Sequence, residues 1–124
     1  MSDNAVTLAG NLTADPELRF TSHGVQVAGF RLAVTPRIWL DGGWKDGKTS
    51  YFRVRAWRDV AANVAESLGK GDRVLVVGRL RTRSWEAADG DRRSVVEVEA
   101  DEVGVSLRWA TARPQRAREQ VAAS

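Results

Sequence analysis

The stretch Tyr51-Phe52-Arg53-Val54-Arg55-Ala56-Trp57-Arg58, running on into Asp59-Val60-Ala61-Ala62-Asn63-Val64-Ala65-Glu66-Ser67-Leu68-Gly69, decides the fold. Its first half alternates. Phe52, Val54 and Ala56 share one face, and Tyr51, Arg53, Arg55 and Trp57 share the other, which is the period of a strand with one side in a core. The second half switches period: Val60, Val64 and Leu68 recur at i, i+4 and i+8. Asp59 is placed to cap the start of that helix and Gly69 its end.

Upstream, the pattern predicts a strand over Ala5–Gly10 with Val6 and Leu8 on one face. A loop with Asp15-Pro16 and a turn at Thr21–Gly24 lead to a second strand over residues 25–35. There Phe30, Leu32 and Val34 point one way and Gly29, Arg31 and Ala33 the other. Residues 36–49 read as a polar, glycine-rich loop or loose hairpin that holds Trp39 and Trp44. Downstream come a long strand over residues 72–86, a hairpin turn at Asp89-Gly90 and a strand over residues 92–103. Gly104 interrupts it before a short final strand, Val105–Arg108. Three strands, one helix and two long strands is the order of an all-β, five-stranded OB-fold barrel with one short α-helix after the third strand and long β-hairpin extensions. An SH3-like barrel has no place for that helix. Residues 1–110 form the domain, and residues 111–124 are expected to be a flexible basic tail with Arg113, Arg116 and Arg118.

Length and composition narrow the function. The 124 residues suit one domain, and 43% hydrophobic content with 28% charged residues suits a folded, soluble chain. Cysteine is absent, which excludes disulfides, iron–sulfur clusters and thiolate nucleophiles, and His23 is the single histidine. No apolar run approaches a membrane span and no signal peptide opens the chain, so no membrane contact and a cytoplasmic, nucleoid-associated location are expected. No phosphate-cradling glycine loop, nucleophile elbow or metal motif is present, so neither a cofactor nor catalysis is expected.

The net charge of +3 is unevenly spread: residues 1–50 balance, residues 51–85 carry +5, residues 86–102 carry −5 and residues 103–124 carry +3. Sixteen of the nineteen basic residues are arginine, the side chain that both stacks on rings and grips phosphate with two donors. The strand over residues 72–86 repeats the pattern of the Tyr51–Trp57 strand, with Arg79, Arg81, Arg83 and Trp85 on one side. A lone outer-face arginine is usually just a solvated charge, and a strand tryptophan is usually core. Both explanations would have to hold on two strands at once, in a chain with five tryptophans. Unstacked bases offer a π-face to such rings and their phosphates attract the arginines, so interleaved rings and guanidiniums suit a single-stranded nucleic acid. Trp39, in its polar loop, joins the stacking set, while Trp44 and Trp109 could equally cover a barrel end or a subunit contact. Glu97, Glu99 and Asp101 share a strand face, where a solvated surface or salt bridges to arginines of a neighbouring strand or subunit explain them better than a metal does.

Several blocks resemble the bacterial single-stranded DNA-binding protein family. They are Gly10-Asn11-Leu12, Asp15-Pro16-Glu17-Leu18-Arg19, Val27-Ala28-Gly29-Phe30, Glu66-Ser67-Leu68-Gly69-Lys70-Gly71 and Leu80-Arg81-Thr82-Arg83-Ser84-Trp85. The runs Leu12–Thr21 and Asp101–Arg108 look like the actinobacterial branch, and the similarity spans residues 4–112. The resemblance implies a non-enzymatic OB-fold homotetramer that wraps single-stranded DNA with little sequence preference in replication, recombination and repair. Its stacking rings fall on Trp39, Tyr51, Trp57 and Trp85, and its backbone-contacting cations on Arg19, Arg53, Lys70, Arg83 and Arg92. Tyr51 stands where many members have tryptophan, Trp57 where many have phenylalanine, and Asp59 and Ser84 where some have lysine.

The resemblance also implies subunit contacts at Phe52, where some members carry histidine, and a clamp from Val103 to Trp109. Members that act in replication end in a glycine- and proline-rich linker with an acidic tip that recruits other enzymes. Here the last residues include Arg113, Arg116 and Arg118, so recruitment through such a tip is not expected of them. An RNA-binding module and a primosome-type accessory protein remain open as alternatives.

Overall fold

The computed structural model describes residues 3–117. In chain order the elements are β1 (Ala5–Leu12), β2 (Glu17–Phe20), β3 (Gln26–Val34), β4 (Arg37–Leu40), β5 (Gly43–Asp46), β6 (Ser50–Trp57), α1 (Arg58–Ser67), β7 (Arg73–Glu86) and β8 (Arg92–Val105). Five of these strands close on themselves. β1 pairs with β7, β7 with β8, β8 with β6 and β6 with β3, and β3 returns to β1 at Asn11–Ala33 and Leu12–Leu32. All the pairings are antiparallel except β6–β8, which is parallel at Val54–Val98 and Arg55–Glu99. This five-strand ring with one helix between β6 and β7 is the expected OB-fold.

Alternation explains its core. Leu12, Phe30, Leu32, Val54, Val74, Val76 and Val98 point inward, and α1 lays Ala61 and Val64 on them, with Leu68 just past its end. Each fully buried aliphatic side chain contributes about 1.5–3 kcal/mol of transfer free energy. Two glycines let the strands approach one another. Gly10 lies where β1 passes from β7 to β3, and a Cβ there would strike the carbonyl of Ala33. Gly78 lies at the register slip of β7, and a Cβ there would strike the carbonyl of Glu99.

Several local expectations are corrected. The loop after Asp15-Pro16 contains β2, an edge strand on β3; all four of its residues are exposed, so it leaves no alternating signal. Within residues 36–49 it is the hairpin alternative that holds: β4 and β5 pair and are closed by Asp41 and Gly42 with φ of 52° and 78°. Positive φ at both central residues matches a type I′ turn, whose twist suits the strands. Asp59 is not the helix cap: α1 begins at Arg58 after an extended Trp57, with no side-chain capping bond. Arg58 itself is left-handed (φ 59°), and it makes the sharp turn from strand to helix. Gly69 is not the C-cap either, because extended Leu68 ends α1 and the Gly69 N–H donates to the Asp72 carboxylate. Finally, β8 runs through Gly104 to Val105, and no separate strand follows at Ser106–Arg108. Arg113 and Arg116 are exposed. Arg118, with residues 118–124 of the expected tail, lies outside the described residues.

Candidate nucleic-acid interface

The outward faces of β2, β3, β6, β8 and β7 make one continuous surface, because directly opposed residues fall on the same side of a sheet. Across it, Arg31 faces Arg53, Gly29 faces Arg55, Arg55 faces Glu99, and Arg81 faces Glu97. A groove of about 450 Å³ opens here, lined by Arg19, Arg31, Arg53, Arg55, Arg83 and Glu97 among others.

The rings lie on this surface rather than in the interior. Tyr51 is 54% exposed and Trp85 40%, while Trp57 is half-buried with its indole N–H buried and unpaired. Each ring carries a guanidinium: Arg31 over Tyr51 at 4.2 Å, Arg55 over Trp57 at 4.9 Å and Arg83 over Trp85 at 4.8 Å. Such contacts hold a ring in place at a cost a base can offset, since exposed cation–π pairs contribute only about 0.5–1 kcal/mol. Trp39 and Trp44 are direct cross-strand partners on β4–β5, packed edge-to-face at 5.5 Å and both about three-fifths exposed. Their hairpin pairs with no other strand among the described residues.

The cations differ in what they already hold. Glu97 is 4% exposed and sits among three arginines. Arg83 reaches it with Nε at 2.9 Å and Nη2 at 3.3 Å, Arg53 at 3.6 Å and Arg55 at 3.8 Å. A carboxylate taken out of water needs such partners to remain charged. Arg81 pairs with Glu99 at 2.7 Å, and Arg79 pairs with Asp101 at 3.0 Å. The hydrogen bond to Asp101 raises the Arg79 pKa above its ordinary value, and that to Glu97 does the same for Arg83. The ion pairs expected of Glu97, Glu99 and Asp101 are therefore present.

The remaining sites spread outward. Arg19 on β2 pairs with Glu17 at 3.2 Å. Exposed Lys70 follows α1, and its backbone N–H donates to Asp15 at 2.8 Å. Arg92 is exposed opposite Glu86, away at the tip of the β7–β8 hairpin. Phe52 is half-buried against the barrel core, as is Val103. Val105, Leu107 and Trp109 are exposed, with Arg73 and Arg108 over the Trp109 ring at 5.0 and 4.6 Å.

Two features escape the sequence reading. Glu97 is the buried hub of the arginine cluster: the β7–β8 hairpin gives it Arg83, and the non-local β6–β8 pairing adds Arg53 and Arg55. Trp44 is the packing partner of Trp39, a relationship set by the Asp41-Gly42 turn. That dipeptide is itself a hairpin signal.

A closed five-strand barrel with rings and guanidiniums on its open face defines an OB-fold protein of the nucleic-acid-binding kind. The chain belongs to the Single-strand binding protein family, whose model matches residues 3–106. It is 56% identical over 117 residues to the single-stranded DNA-binding protein of Mycobacterium leprae, covering 93% of this chain and 70% of that one. Against the same-named protein of Mycolicibacterium smegmatis it is 55% identical, covering 93% and 71%. The crystal structure of the small single-stranded DNA-binding protein from Streptomyces coelicolor superposes with a TM-score of 0.70 at 36% identity, covering 86% of this chain and 97% of that one. Among the described residues no helix is long and apolar enough to cross a membrane.

Proposed function

We propose that this protein binds single-stranded DNA without sequence preference and protects it during replication, recombination and repair, acting in the cytoplasm on the nucleoid. The observation that carries the reading is the outward placement of Tyr51, Trp57 and Trp85 among Arg31, Arg53, Arg55 and Arg83 on one sheet surface. Bases stack on the rings, at about 1–3 kcal/mol each, while the arginines take the phosphates. Arg19 lines the groove with them and Lys70 extends the track past it, Arg79 and Arg81 extend it along β7, and Trp39 and Arg92 engage strand that wraps over the two hairpins. The names of the relatives support DNA as the ligand.

The same reading makes the working form a homotetramer. Exposed Val105, Leu107 and Trp109, together with Leu75 and Val77 on β7, supply apolar surface for subunit contacts, and Phe52 adds to them. Residues 1–110 act as the binding domain.

The test is quenching of tryptophan fluorescence by poly(dT) at two salt concentrations, with poly(U) as competitor. Strong, salt-sensitive quenching with a fixed number of nucleotides per tetramer supports the reading. Preference for poly(U) turns it toward RNA, and the absence of saturable binding to either overturns it.

A further inference from the structure

The basic face contains its own anions. Glu97, Glu99 and Asp101 lie along one side of β8, and residues two apart on a strand repeat every ~6.6–6.8 Å. Each takes one arginine of β7, which carries Arg83, Arg81 and Arg79 at the same two-residue spacing, with closest approaches of 2.9, 2.7 and 3.0 Å. The ladder slips between Val77 and Gly78, so that Asp101 has no direct partner across β7. The extra residue of a bulge is one that can be re-aimed, and here it meets Arg79 with two hydrogen bonds, at 3.0 and 3.3 Å. The three carboxylates are graded: the Glu97 side chain is 4% exposed, that of Glu99 25% and that of Asp101 51%.

We propose that Glu99 and Asp101 act as a resident substitute for phosphate, occupying Arg81 and Arg79 until a DNA strand exchanges with them, while buried Glu97 stays in place and anchors Arg83. The proposal rests on the single-stranded DNA-binding reading above and adds to it a residue-level control of affinity and salt dependence. Solvent-exposed ion pairs are worth only about 0–1 kcal/mol, so a phosphate can displace them. The exchange damps the response to salt. The displaced carboxylate stays beside the strand and keeps part of its cation atmosphere in place, so Arg79 and Arg81 add less to the salt slope than unpaired arginines would. The carboxylates therefore weaken binding and flatten its salt dependence together.

The experiment titrates the full chain with oligo(dT) across a salt series and compares Glu99→Gln, Asp101→Asn and the double variant with Glu66→Gln. Glu66 is exposed on α1 and has no part in the β7–β8 ion pairs, and its loss changes net charge equally. Glu99→Gln and Asp101→Asn should each bind up to about fivefold tighter at low salt. Each should also steepen the slope of log K against log salt by up to about 0.7, the single-strand value per neutralised phosphate. The double variant should show both gains, and Glu66→Gln neither. In an Arg79→Ala background, Asp101→Asn should lose its effect, which isolates the pair. Wild-type protein that binds oligo(dT) while the variants keep its affinity and slope overturns this proposal alone. An equal effect from Glu66→Gln also overturns it. Wild-type protein that does not bind oligo(dT) overturns the functional reading and this proposal with it.

Discussion

Arg31 and Arg53 stand directly opposite one another across the β3–β6 ladder. Like charges at such a position destabilise a sheet, and stability gives no reason for them to be there. Each turns away to a different partner: Arg31 lies over the Tyr51 ring at 4.2 Å, and Arg53 points to Glu97 at 3.6 Å. A ligand that brings negative charge to this face resolves the conflict. Arg31→Ala should therefore leave thermal stability within about 1 kcal/mol of wild type, since the relieved repulsion offsets the lost ring contact. The same change should lower the salt slope of oligo(dT) binding by about 0.7. Thermal melting and a salt-dependent titration read the two outcomes separately, and a large loss of stability with unaltered binding would refute the assignment.

The two tryptophans that bracket the arginine rows should behave differently. Trp85 is 40% exposed near the end of β7, so Trp85→Ala should weaken oligo(dT) binding by about 1–3 kcal/mol with an unchanged melting curve. Trp57 is half-buried, with its N–H shielded from solvent and unpaired. Trp57→Ala should lose both binding and stability, whereas Trp57→Phe should restore packing without burying an unpaired donor. Fluorescence anisotropy beside thermal melting distinguishes the three variants.

The contrast between Trp57 and Glu97 shows what the sequence makes legible. Trp57 declares its side by counting in twos along β6, and the same counting finds the core through Phe30, Leu32 and Val54. The helix is equally plain from Val60, Val64 and Leu68. Its ends are not: a left-handed Arg58 and an extended Leu68 do the work that Asp59 and Gly69 were expected to do. β2 buries nothing, so no periodicity reveals it. Glu97 looks like any other acid on an alternating strand. Two of its three arginines, Arg53 and Arg55, reach it across a parallel pairing separated by more than forty residues, which local pattern does not encode.

Closure of the barrel depends on two positions without side chains. A Cβ at Gly10 or Gly78 would meet backbone carbonyls, of Ala33 and Glu99 respectively, and neither can swing aside as a side-chain end would. Gly10→Ala and Gly78→Ala should each cost at least the ~1–3 kcal/mol typical of overpacking. Urea denaturation measures this, and a variant as stable as wild type would show that the strands separate more easily than the geometry implies. Gly78→Ala also presses on the β8 strand that carries Glu97, Glu99 and Asp101, so its DNA binding should change along with its stability.

Glu97 offers the sharpest test of whether the arginine cluster awaits an anion. Glu97→Gln keeps the shape but removes the charge that Arg53, Arg55 and Arg83 share, and charge-assisted hydrogen bonds contribute about 1.5–3 kcal/mol. The free variant should be destabilised by about that amount, because three neighbouring guanidiniums then repel one another. Bound DNA should reverse the loss, since a phosphate entering the groove replaces the missing negative charge and a ligand stabilises the fold in proportion to how favourably it binds. Saturating oligo(dT) should therefore raise the melting temperature of Glu97→Gln by more than it raises that of wild type. An equal rise in both, from equal starting stabilities, would mean that Glu97 does not hold the arginines together.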